Sequence, residues 1–202
     1  MITIESMMLI DKNALQEESK KLSKDDIPRI VEWLSLKDND IRYQALLLLQ
    51  NRSIFFDDVY PHWDILRSKL KSDNSYQRSI GLMLIAENAR WDTERRMEDT
   101  IDEYLGLLND EKPITIRQCI QSLDKIVTYK PELNNKVAAA LISFDFMAVK
   151  ETMRKSILLD ILNNLLIIRK NLRKDDIERF ILNALSGEIL DKKSKKRIEE
   201  LL

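Results

Sequence analysis

Lys37–Gln50 reads KDNDIRYQALLLLQ. A short polar turn, Asp38-Asn39-Asp40, leads at once to Arg42 and then to Ala45–Leu49, a run that is apolar on nearly every side. Such a run predicts a helix packed against several neighbours. Weaker copies begin at Ser72 (SDNSYQRSIGLMLIA), around Arg117 (PITIRQCIQSLDKI) and around Arg154 (KETMRKSILLDIL). The helix-start arginines Arg42, Arg78, Arg117, Arg154 and Arg197 stand 36, 39, 37 and 43 residues apart. Turn carboxylates precede them: Asp38 and Asp40, Asp73, Asp110, Asp145 and Asp191. A period of this size in a helical chain marks a helical solenoid.

Composition agrees. With 202 residues, 44% hydrophobic and 33% charged, the chain is expected to be one domain or one continuous repeat array. Three Gly and four Pro are too few for a turn-rich sheet protein. The apolar residues are mainly Leu, Ile and Met, which favours helix over strand. A single cysteine, Cys119, excludes an intrachain disulfide and is expected in the core. The start MITIESMMLIDK lacks a basic leader region, and Ile157–Ile168 is interrupted by Asp160, Asn163 and Asn164. Neither reads as a secretory signal or membrane span, so the expected location is cytoplasmic. The net charge of −1 is unevenly spread: residues 1–110 carry 15 basic and 21 acidic side chains, and residues 111–202 carry 18 and 13.

Taken in order, residues 3–21 predict one terminal helix, within a cap spanning 1–22. Ser23 and Asp26 have capping-box spacing ahead of Ile27, Ile30, Val31 and Leu34. Trp33 is expected at the rim of that stripe. Residues 41–51 form the second helix of the first pair. Val59, Trp63, Leu66 and Leu70 put Trp63 in the core of the next pair, where Gly81 permits close helix approach. Phe55 and Phe56 are expected to plug the gap between pairs, and Trp91 to pack in the following connection. Further pairs fall at 95–108 with 114–128, 132–143 with 149–168, and 174–186 with 189–201. The apolar link Ser143–Met147 is expected to fold back onto the array. Leu22–Ile27 (LSKDDI) and Leu172–Ile177 (LRKDDI) resemble one another at an offset of 150 residues, close to four repeats, and both open the first helix of a pair.

The turn aspartate followed by a helix-start arginine between two amphipathic helices resembles the HEAT-repeat family, within the HEAT/armadillo class. Asp38/Arg42 and Asp73/Arg78 fit that pattern well. Asp110/Arg117 is stretched, and Asp145/Arg154 and Asp191/Arg197 are poorly spaced. The resemblance covers roughly residues 24–202. It implies an all-α, α-α superhelix of about five antiparallel helix pairs behind an N-terminal capping helix, a single domain over 1–202. An arginine in a first helical turn opposes the local positive potential. A ladder of Asp–Arg contacts between turns is the expected reason for its recurrence.

Nothing points to catalysis. One histidine, His62, and one cysteine cannot supply the usual zinc sets, and no phosphate-binding glycine loop is present. Asp25/Asp26 and Asp57/Asp58 are sequence neighbours at helix starts, not a pair facing each other across a cleft. The expectation is a non-catalytic interaction or scaffold protein without a cofactor. It would bind another protein through a concave groove lined by the second helices, with Gln44, Gln77, Gln118, Gln121, Lys155 and Asn163 as candidate contacts. The alternative is nucleic-acid binding, as in HEAT-like proteins that act on alkylated DNA. Arg169–Lys174 and Lys192–Arg197 would then contact phosphates, although the sequence pI of about 6.0 disfavours it.

Overall fold

The computed structural model describes residues 1–202 and is all-helical. Two compact units divide the chain, Met1–Thr100 and Ile101–Leu202. In each, consecutive helix pairs stack as in an α-solenoid.

The first unit begins with α1 (Ile4–Met8) and α2 (Leu15–Lys21). The single helix expected over 3–21 is therefore two. Thr3 caps α1 by accepting from the Ser6 N–H, while Ser6 Oγ accepts from the Thr3 N–H. The break lies at Asp11, whose carboxylate accepts from the Asn13 N–H at 2.8 Å and offers the backbone an alternative to the helix. Ser23 and Asp26 then reciprocally cap a 3₁₀ turn that leads into α3 (Ile27–Trp33). Asp26 also accepts from the Ile2 N–H at 2.7 Å, which ties down the start of the chain. Trp33, expected at the rim, is buried.

The opening stretch becomes α4 (Asn39–Phe55), with Asp38 as its N-cap. It packs against α1, α2, α3 and α6, which explains why Ala45–Leu49 is apolar almost all round. α5 (Trp63–Lys69) and α6 (Ser75–Asn88) form the next pair. Trp63 is buried, and its indole donates to Thr100 Oγ1 at 3.1 Å. A Cβ placed on Gly81 would lie 2.9 Å from the Leu66 carbonyl oxygen and 3.2 Å from Lys69 Cβ, so glycine sets the α5–α6 spacing.

α7 (Arg96–Gly106) contains the division between the units. Asp92 caps its start, accepting from the Arg96 and Met97 N–H groups and from the Tyr60 hydroxyl. The second unit continues with α8 (Pro113–Tyr129), α9 (Asn134–Ile142), α10 (Glu151–Arg169), α11 (Asp175–Ser186) and α12 (Lys192–Glu199). α10 packs on α8, α9 and α11. Cys119 is buried on α8 with its thiol 3.4 Å from the Tyr104 carbonyl, and burial pushes its pKa up, away from nucleophilic use. In the link after α9, Phe144 and Phe146 pack edge to face at 5.2 Å and are half-buried, while Met147 is exposed.

Candidate functional site

The turn aspartates and helix-start arginines make several local contacts. Asp38 accepts from the Asp40 and Ile41 N–H groups, Asp110 from Lys112, Asp145 from Met147 and Asp191 from Ser194. They satisfy free backbone donors at turns and helix starts. Asp73 contributes its backbone carbonyl, which accepts from Arg78. Arg42 donates to the Leu36 carbonyl at 3.0 Å and to Asn39. Arg78 donates to the Ser72 and Asp73 carbonyls at 2.7 and 3.0 Å. Both thus reach carbonyls just beyond the preceding helix, at its negative end, which offsets the unfavourable first-turn position. Arg117 pairs with Asp160 inside α10 at 2.9 Å, not with a turn carboxylate. A cation does reach the next pair's turn at Lys155–Asp191, one residue after the expected Arg154. Arg154 itself is half-buried, with its Nε lacking a hydrogen-bond partner.

The candidate groove residues fall into two groups. Gln44 is 7% exposed, and its amide donates to the Met7 and Ile10 carbonyls. Gln77 donates to the Leu34 carbonyl at 2.7 Å and accepts from Lys69 Nζ. Both are struts from a second helix to the end of an earlier helix. On the adjoining helices α8 and α10, Gln118 is half-buried and donates to Ser122, Gln121 is exposed, Lys155 is at the surface with Asp191, and Asn163 is half-buried. The neighbouring Asn164 is buried and bridges the two helices by donating to the Ile120 carbonyl at 2.8 Å. Phe55 and Phe56, expected as plugs, remain partly exposed beneath the cations of Lys20 (4.4 Å) and Arg52 (3.6 Å).

Two buried cations of the first unit were not singled out by the sequence pattern. Arg52, near the end of α4, pairs with Asp58 at 2.6 Å and also donates to the Ser19 and Lys20 carbonyls. It thereby clamps the end of α2. Lys69, at the end of α5, is 7% exposed and donates to Ser35 Oγ at 2.9 Å and Gln77 Oε1 at 2.5 Å. Burial, and secondarily the Arg42 charge, hold its pKa below the ordinary lysine value. Lys69 lines an open hollow of about 430 Å³ together with Ser35, Lys37, Arg42, Ser72 and Asn74. Its position three residues after Leu66, on the apolar stripe, is the signal that could have marked it.

No group of three His, Cys, Asp or Glu side chains is placed to hold a metal, and no helix is long and apolar enough to cross a membrane. The chain matches no protein-family model and no curated protein.

Proposed function

We propose that the chain is a non-catalytic, HEAT-like interaction scaffold that binds another protein through the second-helix surface of its stacked pairs. The observation that carries this reading is the α8–α10 layer. The apolar stripes of these helices are buried within the second unit, while Gln118, Gln121, Lys155 and Asn163 stay at or near the surface on two adjoining helices. A stack of pairs presents such positions as an extended surface, the usual binding element of solenoids. A cytoplasmic setting fits the single cysteine, which is free.

Nucleic acid is the weaker reading. Part of the basic C-terminal charge is already matched within the fold: Arg169 pairs with Glu178 at 2.6 Å, and the first turn of α11 carries Asp175, Asp176 and Glu178.

The test is affinity capture by the full chain, compared with the double variant Gln121→Glu, Lys155→Glu and with a surface control on α2. Loss of a specific captured protein by the double variant alone, with an unchanged circular-dichroism spectrum, is the expected outcome. Equal capture by all three proteins rejects this surface. Salt-sensitive capture of DNA or RNA in place of protein moves the assignment to the alternative.

A further inference from the structure

We propose that the hollow lined by Lys37, Arg42, Lys69, Ser72 and Asn74 binds a phosphate-monoester group. The first ground is charge. Lys69 is 7% exposed, yet its two hydrogen-bond acceptors, Ser35 Oγ and Gln77 Oε1, are both neutral. An ammonium group has three N–H donors, so one is left over. A buried charge without a counter-charge is costly, and an anion in the hollow removes that cost.

The second ground is that the lining reinforces the charge. No carboxylate lines the hollow. Arg42 faces the same space, its guanidinium steadied by the Leu36 carbonyl and Asn39. Lys37 adds a third, exposed cation at the rim.

The third ground is the polar complement. Ser72 Oγ accepts from the Asn74 N–H at 3.2 Å, which leaves its own proton available. Asn74 Oδ1 accepts from the Tyr76 N–H as the N-cap of α6, which leaves its amide N–H groups available at the positive end of a 14-residue helix. The donors come from three separate segments: the α3–α4 turn with the start of α4, the end of α5, and the α5–α6 turn. Three cations and donors from several directions suit a group with about two negative charges and three terminal oxygens better than a singly charged, planar carboxylate.

This site is independent of the scaffold reading, because the α8–α10 surface can fail as a docking face while phosphate binding persists, and the reverse. The experiment is an amide NMR titration of the full chain with glycerol phosphate, with a phosphoserine peptide, and with acetate as control. Both monoesters are expected to shift the amides of residues 72–77 saturably, and acetate is not. Tighter binding of the peptide identifies a protein-borne phosphate; tighter binding of glycerol phosphate identifies a small phosphorylated molecule. Lys69→Gln and Arg42→Gln are each expected to weaken binding by about tenfold or more. Lys69→Arg tests whether charge at this position restores it if Lys69→Gln does not fold. Three outcomes overturn the proposal: no saturable shift with either monoester, an equal response to acetate, or affinity unchanged in a folded Arg42→Gln variant.

Discussion

Arg52 and Lys69 are both buried cations of the first unit, and they are satisfied in opposite ways. Arg52 has its counter-charge built in: Asp58 lies six residues away around the end of α4, and two carbonyls of α2 complete the shell. Lys69 has only a hydroxyl and an amide oxygen. The Arg52 arrangement closes a structural joint, whereas the Lys69 arrangement leaves positive charge facing a hollow that opens to solvent. Burial alone therefore does not separate a structural cation from a binding one; the partners do.

The largest effect is expected from breaking the closed joint. Asp58→Asn leaves Arg52 buried without its carboxylate and should destabilise the protein by about 3–5 kcal/mol, read as a lower denaturant midpoint. Lys69→Met, by contrast, removes an uncompensated charge. It should leave stability within about 1 kcal/mol of the parent, or raise it, in phosphate-free buffer. Comparable losses in the two variants would erase the distinction between the sites.

A smaller effect is expected at the spacing that keeps Lys69 buried. Gly81→Ala introduces a Cβ 2.9 Å from the Leu66 carbonyl oxygen and 3.2 Å from Lys69 Cβ. The forced separation of α5 and α6 should cost about 1–3 kcal/mol. Gly106, at the end of α7, has nothing within 4 Å of its Cβ position. Gly106→Ala should therefore stabilise by about 0.4–1 kcal/mol through the unfolded chain. Thermal unfolding of the two variants checks both signs.

The repeat itself was legible because its signals are local and periodic. Turn, arginine and apolar run recur, and α7 to α12 fall within a few residues of their expected limits. Trp63 could be placed in the core from helical spacing, and Cys119 from the usual burial of a free cysteine. Orientation at the edge of a stripe was harder. Gln44 and Gln77 look as polar as Gln121, but only the ends of neighbouring helices supply the carbonyls to which they donate. The break between α1 and α2 depends on Asp11 bonding its own turn, a contest that apolar spacing does not weigh. The Arg52–Asp58 pair crosses a loop, and the partners of Lys69 come from α6 and from the residues after α3, so neither follows a helical period. Local geometry also shapes the turns: Asp38 and Asp110 accept from backbone N–H groups close at hand, and Arg42 and Arg78 donate to carbonyls.

The most direct measurement is the titration of the Lys69 ammonium by side-chain NMR, with and without glycerol phosphate. Without ligand, the group should lose its proton below the ordinary lysine value, because burial and, secondarily, Arg42 disfavour the charged form. With the folded value depressed, the unfolded chain holds the extra proton in that window. Stability from this group is then complete above the ordinary lysine value and is lost as pH falls through the folded value. Bound phosphate should move the titration upward and reduce that pH dependence. A Lys69 that titrates at the ordinary lysine value, and stays there when glycerol phosphate is added, contradicts the uncompensated charge on which the site rests.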